Sequence, residues 1–202
     1  MIVKDLGLVD YQPICEAMRQ FTAERNQHTE DELWLLEHPQ VFTLGLNGKD
    51  EHVLNTHDIP LVNTDRGGQV TFHGPGQLIA YTLIDIKRQK IGVREMVSKL
   101  ENTVIRMLSQ LGIDAESRVD APGVYVEGRK ISALGLKVRR GACYHGLSLN
   151  VDMDLTPFSY INPCGFQGLE VIDLKSLGCI ITMDEAKEKF VSEFNQQIRK
   201  SK

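Results

Sequence analysis

The residue with the clearest chemical potential in this chain is Cys164, which stands between a proline and a glycine in Asn162-Pro163-Cys164-Gly165. This run lies outside any apolar periodic segment, so we expect a rigid turn with an accessible sulfur. A thiolate there could accept an acyl group from a thioester and pass it to an amine, because the product amide is more stable. The alternative is a buried cysteine that acts as a small hydrophobic residue. That alternative is favoured for Cys15, Cys143 and Cys179, which stand in apparent helix or strand contexts.

Nucleophilic use of Cys164 requires an ionised thiol. A free cysteine with a pKa of about 8.5 is only a few per cent thiolate at pH 7. A neighbouring ammonium that lowers this pKa toward about 6 would raise the reactive fraction roughly tenfold or more. Lys130, in the run 128–135, is the candidate for that ammonium. Taken alone, a lysine beside a hairpin is usually an exposed surface residue.

A second concentration of polar and glycine residues lies at 66–81, where four glycines and a proline surround Arg66 and His73. Paired glycines after Arg66 would let a ligand lie against the main chain, while Arg66 supplies a forked cation. His73 supplies a group that changes charge near neutral pH. The apolar run 78–86 predicts a buried strand that mounts this loop. The alternative is an ordinary glycine-rich turn between strands.

The elements that must position these residues begin with short strands. Residues 2–9 alternate and predict an opening strand, and Asp10 is placed to cap a helix that buries Ile14, Met18 and Phe21. Three further short apolar strands are predicted at residues 33–36, 41–44 and 61–63, with a turn at Asn47-Gly48 between the second and the third. The loop at 66–81 therefore lies between sheet elements.

Helices are few and well separated. The strongest helical periodicity spans 93–111 with Gly112 just past its end, and a last helix follows a capping box at Thr182 and Glu185. Between them, strands at 124–126, 129–138 and 143–151 are predicted to form a meander, followed by a loop over 152–168. This order predicts an α+β fold with a mixed β-sheet and flanking helices, in one domain spanning residues 1–202.

Composition excludes several function classes. The chain has 202 residues, 42% of them hydrophobic, and no apolar run near the roughly 20 residues that span a bilayer. Its start lacks an apolar signal segment, so we expect a cytosolic protein. The net charge of −4 argues against nucleic-acid binding, yet residues 128–151 carry basic residues and no acidic one. That segment is either a solvated hairpin face or a dock for an acidic partner.

The cysteines form neither a disulfide frame nor a zinc ribbon, and they should be free thiols. Cys143 and His145 are close enough in sequence to raise a metal question, but no second compact ligand pair follows, so no metal is expected. No phosphate-binding glycine loop of the P-loop or dinucleotide kind is present. Hydrolysis of nucleotides by a P-loop is therefore excluded.

Every position at 66–81 resembles the signature of the octanoyl-[acyl-carrier-protein]:protein octanoyltransferases, also called lipoyl(octanoyl) transferases or the lipoate-protein ligase B family. The run 128–135 is similar to the family's lysine-bearing strand, and the turn at Cys164 to its acyl-cysteine loop. The resemblance implies a biotin/lipoate protein ligase-like fold in a cytosolic enzyme without a cofactor. It implies transfer of octanoyl from acyl carrier protein to the lysine of lipoyl domains of 2-oxoacid dehydrogenase and glycine cleavage proteins, as the first step of endogenous lipoate synthesis. Nucleic acid and membrane are not among the expected partners.

By the same resemblance, Cys164 would be the thioester nucleophile and Lys130 would lower its pKa and shuttle protons. The implied acyl-binding residues come from three stretches: Arg66, Gly67, Gly68, Gln69, Val70, Thr71, Phe72 and His73; Ala133, Leu134 and Gly135; Gly146, Leu147 and Ser148. Main-chain N–H groups near Gly67-Gly68 or Leu134-Gly135 could stabilise the oxyanion. His73 and His145 either assist proton transfer or brace the loops, and bracing is favoured because Lys130 already serves as the base.

Two alternatives stay open at the level of sequence. An ATP-dependent lipoate or biotin protein ligase would share the fold, but such enzymes carry a third glycine or a basic loop where this chain has Gln69, and they do not need Cys164. A catalytically silent adaptor that only binds acyl carrier or lipoyl domains would keep all its activity after Cys164→Ala. ATP dependence without acyl carrier protein distinguishes the first alternative.

Overall fold

The strands of the described residues build two sheets, and most of these strands are buried along all or nearly all of their length. The structure, a computed structural model, describes residues 1–199 apart from the side chain of Cys164. Within those residues the larger sheet has seven strands in the order β1-β2-β6-β10-β9-β8-β7. Its strands are β1 (Ile2–Leu8), β2 (Glu32–Glu37), β6 (Gln77–Asp85), β7 (Glu116–Ser117), β8 (Gly123–Val126), β9 (Arg129–Arg139) and β10 (Ala142–Asn150). β1 runs parallel to β2 and the other neighbours are antiparallel, which makes the sheet mixed.

Three α-helices within residues 1–199 cover the two faces of this sheet. They are α1 (Tyr11–Glu24), α2 (Val93–Gln110) and α3 (Met183–Arg199). The α2 and α3 side chains pack on one face with the even-numbered residues Leu78 and Ala80 of β6, while α1 packs on the other with Ile79 and Tyr81. This two-sided burial explains why β6 is apolar almost throughout, without the alternation of a half-exposed strand.

A smaller sheet stands beside the larger one. It consists of β3 (Val41–Leu44) between β4 (Leu61–Asn63) and β5 (Val70–His73), with β3 and β4 parallel and β3 and β5 antiparallel. Phe42, Phe72 and Phe158 form the centre of its own core. The loop between β4 and β5, which contains Arg66, leaves this sheet and reaches the larger one.

The architecture confirms the predicted α+β class and most predicted elements. Thr182 and Glu185 form the predicted capping box, since the Glu185 amide donates to Thr182 Oγ1 at 3.2 Å and the Thr182 amide to Glu185 Oε2 at 2.7 Å. Asp10 precedes α1 but makes no capping hydrogen bond with its side chain. The expectation that Cys179 lies in a helix or strand was wrong, because it follows a short 3₁₀ turn in irregular backbone before α3.

None of the helices described has the length and apolar content to cross a bilayer.

Candidate active site

The three stretches predicted to bind substrate meet at one cavity of about 460 Å³. It lies where the β4–β5 loop, the middle of β9 and the second half of β10 come together. Its volume falls within the range of small-molecule sites, roughly 300–1,000 Å³. All predicted binding residues except Phe72 line it: Arg66, Gly67, Gly68, Gln69, Val70, Thr71, His73, Ala133, Leu134, Gly135, Gly146, Leu147 and Ser148.

Phe72 belongs to the core of the smaller sheet and does not line the cavity. Its ring centroid lies 5.4 Å from that of Phe42 and 5.5 Å from that of Phe158. Successive side chains of a strand point to opposite faces, so Thr71 and His73 face the cavity while Phe72 turns away. A side-chain role for Phe72 in binding substrate is therefore not part of this arrangement.

Further apolar walls come from elements that the sequence analysis treated as scaffold. The additional apolar lining residues are Ile79, Val93, Val97, Ala121, Pro122, Leu136 and Phe166. Val93 and Val97 are one helical turn apart at the start of α2, which places this helix end against the cavity. Such positions look like ordinary core residues in a sequence, and only the packing reveals that they border a cavity.

Arg66 joins the two sheets at the cavity wall. Its Nη2 donates to the Thr43 carbonyl oxygen at 2.7 Å and to Thr43 Oγ1 at 2.8 Å. The next residue, Gly67, donates its N–H to the Leu136 carbonyl in β9 at 3.0 Å. A Cβ at Gly135 would lie 2.7 Å from the Gly67 oxygen, so glycine is needed for this close approach. Because its N–H is already engaged, Gly67 is not an available oxyanion donor in this conformation.

Two buried histidines pack against each other at the cavity, and His73 is part of its lining. His73 Nδ1 is 2.7 Å from Gln77 Oε1 and its Nε2 is 3.4 Å from Thr43 Oγ1. His38 Nε2 is 2.8 Å from the Tyr81 hydroxyl. Burial lowers the pKa of His73 to about 3 and that of His38 to about 4, so both rings are neutral at pH 7. With both nitrogens facing partners, His73 has the geometry of a brace.

His145 is oriented by an acidic partner. Its Nε2 lies 2.9 Å from Asp65 Oδ1, and the same carboxylate accepts hydrogen bonds from Tyr144 and Arg19. Burial alone would raise the pKa of Asp65, but these three hydrogen bonds hold it well below its usual range. Burial also lowers the pKa of His145, so its neutral ring donates Nε2–H to Asp65. The arrangement fixes the His145 ring at the cavity wall.

The sequence spacing of Cys143 and His145 raises the possibility of a metal site, but the fold brings a different set of residues together. Cys143 donates to the Thr82 carbonyl at 3.5 Å, and burial raises its pKa to about 11. Among residues 1–199, the side chains close enough to share an ion are Cys15, Asp65 and His145, whose ligand atoms lie within 4.8 Å of one another. Burial raises the pKa of Cys15, which disfavours a thiolate ligand. Hydrogen bonding around Asp65 accounts for this cluster.

Lys130 is 3% exposed, so the alternative of a surface lysine was wrong. Its Nζ donates to the Pro122 carbonyl at 3.1 Å and lies 5.1 Å from the centre of the Tyr125 ring. Burial raises the pKa of the nearby Glu101, and the charge of Lys130 opposes this rise. A Cβ at Gly123 would lie 2.9 Å from Lys130 Cε, so the glycine leaves room for the lysine chain. Lys130 is thus a buried cation held in a fitted site.

The turn that contains Cys164 borders the same region. Residues Pro163–Gly165 form a 3₁₀ turn, anchored by the Asn162 N–H, which donates to the His52 carbonyl at 2.8 Å. Pro163 and Lys130 line a single small cavity of about 10 Å³. The predicted nucleophilic sulfur of Cys164 lies outside the described atoms. The structure nevertheless brings the backbone of its turn to the lysine from the distant β9 strand.

The small cavity adjoins the large one, since Thr71, Ala133 and Ser148 line both. Lys130 and the Pro163 turn therefore stand beside the large cavity. A largely apolar cavity thus adjoins an ammonium and a cysteine-bearing turn. This layout suits chemistry on the head of a small apolar ligand.

Several polar residues of the site were missed by sequence reasoning. They are Thr43, Asp65, Gln77, Glu101 and Asn150, of which all but Asp65 are buried. Asp65 had a signal, because an acidic residue directly precedes Arg66 and the glycine pair. The others are polar residues within helices and strands, and most of their hydrogen-bond partners are distant in sequence.

Comparison with known proteins places the chain among enzymes of lipoyl metabolism. A family model described as the lipoyl protein ligase A/B catalytic domain matches residues 10–195. An octanoyltransferase of Chromobacterium violaceum is 56% identical over 201 residues, covering 100% of this chain and 97% of the relative. An octanoyltransferase of Vibrio vulnificus is 58% identical over 178 residues, covering 88% of this chain and 82% of the relative.

Solved structures with the same fold are more distant in sequence. A putative lipoate protein ligase from T. acidophilum superposes with a TM-score of 0.79 at 16% identity, covering 98% of this chain and 86% of its own. The biotin protein ligase from Aquifex aeolicus gives a TM-score of 0.62 at 13% identity, covering 99% of this chain and 69% of its own. These similarities confirm the expected biotin/lipoate ligase-like fold.

Proposed function

The chain belongs to the family of lipoyl protein ligase A/B catalytic domains, and from this premise we propose that it is an octanoyltransferase. It takes an octanoyl group from octanoyl-acyl carrier protein and transfers it to the lysine of a lipoyl domain. Support for the acceptor class includes a fold neighbour described as a bipartite lipoate protein ligase with its E2 lipoyl domain. The transfer takes place in the cytosol, within one catalytic domain spanning residues 1–202, and supplies the first step of protein lipoylation.

The observation that carries the proposal is the junction of the two cavities. Lys130 and Pro163 line the small one, and Thr71, Ala133 and Ser148 connect it to the large one. An acyl chain in the large cavity would present its carbonyl carbon at the junction, beside the turn of Cys164. Burial of its methylenes at about 0.8 kcal/mol each supplies several kcal/mol of binding.

In the first step Cys164 attacks as a thiolate, which the Lys130 ammonium stabilises. The bond between the acyl carbon and Cys164 Sγ forms, and the bond between that carbon and the carrier sulfur breaks. The leaving carrier thiolate takes a proton from Lys130, which becomes a neutral amine. One thioester replaces another, so the step is close to balanced in free energy and needs no ATP.

In the second step the amine of the acceptor lysine attacks the acyl-Cys164 thioester. Neutral Lys130 takes the proton that this amine loses as the amide bond forms, and Cys164 leaves as a thiolate. The starting ion pair is thereby restored. The greater stability of the amide drives this step forward. No metal or organic cofactor takes part, because the donor thioester already carries the activated acyl group.

The decisive experiment is the intact mass of the protein after mixing with octanoyl-acyl carrier protein in the absence of ATP. We expect one octanoyl adduct that hydroxylamine removes. Cys164→Ser should form none, and Lys130→Ala should form it at least about 100-fold more slowly, as expected for loss of a general acid-base group. A wild-type protein without an adduct would contradict the covalent route.

Two matched variants control for damage to the fold. Lys99→Ala removes another buried lysine, whose Nζ also donates to a backbone carbonyl, that of Gln197 at 2.8 Å. Cys179→Ser removes a thiol outside the helices and strands. Both should form the adduct at near wild-type rates. A parallel reaction with free octanoate and ATP tests the ligase alternative, and acylation of a lipoyl domain only under those conditions would favour it.

A further inference from the structure

A buried row of polar side chains runs beneath the cavity from one sheet to the other. It begins at Arg66, whose Nε and Nη2 donate to Thr43 Oγ1 at 3.2 and 2.8 Å. Thr43 Oγ1 lies 3.4 Å from His73 Nε2, and His73 Nδ1 lies 2.7 Å from Gln77 Oε1. Gln77 Nε2 then donates to Asn150 Oδ1 at 2.9 Å. Thr43 and Gln77 are fully buried, so these contacts form away from water.

Backbone carbonyls determine the direction of every hydrogen bond in this row. Gln77 Nε2 faces the Phe72 carbonyl oxygen at 3.3 Å and Asn150 Nδ2 faces the Ile172 carbonyl oxygen at 3.0 Å, which sets both amides. Gln77 therefore presents Oε1 to His73, and the ring must be protonated at Nδ1. The other ring nitrogen of His73, Nε2, is then an acceptor. Thr43 Oγ1 already accepts hydrogen bonds from Arg66, so its own hydroxyl hydrogen points to His73 Nε2. All donors point the same way, from Arg66 to Asn150.

The row ends at the backbone segment that holds Lys130. Asn150 donates to the carbonyl of Ile172, and the N–H of the same Ile172 donates to the Lys130 carbonyl at 3.0 Å. The Lys130 N–H in turn donates to the Glu170 carbonyl at 2.9 Å. A displacement of Asn150 would thus be passed to the strand that carries the lysine. Within the described residues this is a continuous hydrogen-bonded path from the Arg66 wall to Lys130.

We propose that Thr43, Gln77 and Asn150 are positioning residues that keep the Arg66 wall of the acyl cavity and Lys130 in register across the two sheets. This proposal rests on the proposed function, because the path affects catalysis only if Lys130 takes part in acyl transfer. None of the three needs to touch substrate. Their effect is on the placement of the acyl carbonyl relative to the ammonium, where errors near 1 Å are costly for rate.

The kinetic test uses Thr43→Val, which keeps the shape of the side chain but removes the hydroxyl. We expect the maximal rate of acyl-enzyme formation to fall roughly 10- to 100-fold, with the KM for octanoyl-acyl carrier protein within about threefold. Thr43→Ser should recover most of the loss. Thr103→Val is the matched control, since Thr103 is also fully buried and donates to the Lys99 carbonyl at 2.7 Å. Equal losses of rate in the Thr43 and Thr103 variants, or no loss in Thr43→Val, would overturn the proposal.

A second measurement tests the hydrogen-bonded path without an activity assay. In ¹⁵N-histidine-labelled wild-type protein, the His73 ring should be the neutral tautomer with the proton on Nδ1 from about pH 5 to about pH 8. Thr43→Val should shift the Nε2 resonance more than the Nδ1 resonance. A proton on Nε2, or a charged ring in this range, would overturn the proposal even if Thr43→Val does not fold. Failure of acyl transfer in the wild type, with the expected tautomer intact, would instead count against the proposed function.

Discussion

The two sheets contribute to the site in different ways. The larger sheet provides apolar walls from β9 and β10 and holds Lys130 by two backbone hydrogen bonds to residues 170–172. The smaller sheet provides side-chain hydrogen bonds from Thr43 in β3 and His73 in β5. The smaller sheet thus starts the buried polar path, which Gln77 and Asn150 of the larger sheet continue, while the Lys130 backbone is held on the larger sheet alone. The position of Lys130, which its backbone sets, should respond to added side-chain atoms nearby. The buried polar groups of the smaller sheet should respond to pH.

The largest expected effect comes from steric change on the Lys130 side. In Gly123→Ala the new Cβ would lie 2.9 Å from Lys130 Cε and 2.7 Å from the Ser132 carbonyl oxygen, at a φ of +145° that side chains rarely adopt. Displacement of the ammonium should slow acyl-enzyme formation roughly 100-fold, as measured by intact mass over time. Gly92→Ala is the control, because nothing lies within 4 Å of its Cβ. A normal rate in Gly123→Ala would break the contrast between the sheets.

The second effect concerns pH and belongs to the smaller sheet. Burial lowers the pKa of His73 from 6.5 to about 3, so between these values the unfolded chain binds a proton that the folded chain does not. Stability should therefore fall as the pH drops below about 6.5, by about 2 kcal/mol from this group at pH 5.

Urea unfolding at several pH values checks this expectation. His73→Gln should make the curve of unfolding free energy between pH 7 and pH 5 less steep by this share, whatever its absolute stability, while the share of His38, whose pKa burial lowers to about 4, remains. His28→Gln removes an exposed histidine and should leave the slope unchanged. A wild-type slope retained in His73→Gln would mean that His73 is not buried in its neutral form.

The smallest effect on activity is expected at Phe72. Its ring packs on Phe42 and Phe158, away from the cavity, so Phe72→Leu should lower the unfolding free energy by roughly 1–3 kcal/mol through the space left in the core. Octanoyl transfer should stay within about twofold of wild type. Thr71→Ile, whose side chain faces the cavity, should reduce transfer more strongly. If Phe72→Leu proves the more damaging of the two, the two faces of β5 have been assigned the wrong way round.

Much of the scaffold follows from local sequence. The periodicity of residues 93–111 and the apolar run 78–86 predict α2 and β6 because each pattern is dictated by the faces that the element buries. The glycine-rich loop with Arg66 was recognisable for a related reason, because a high density of glycine indicates backbone with positive φ or close approach to other groups. The resemblance to a family then identified three of the stretches that line the cavity, and the walls from β6, α2 and residues 120–122 were not among them.

The polar path could not be predicted in this way. Gln77 and Asn150 are single polar residues at the ends of apolar strands, and they become partners only because β6 and β10 pair in a register that sets them opposite each other. Local sequence predicts a surface residue at Lys130. It is buried because the fold packs Pro122, Tyr125 and the segment near Ile172 around it. These are consequences of tertiary pairing, which local patterns do not encode.

The position of β10 in the larger sheet has a consequence for synthesis on the ribosome. β6 pairs with β2 on one side, but its other edge waits for β10, which is encoded after α2, β7, β8 and β9. At roughly 5–20 residues per second, several seconds separate the emergence of these two strands. During that interval an apolar strand edge is open to other nascent chains, so newly made protein should depend on chaperones most strongly before residue 150 has left the exit tunnel.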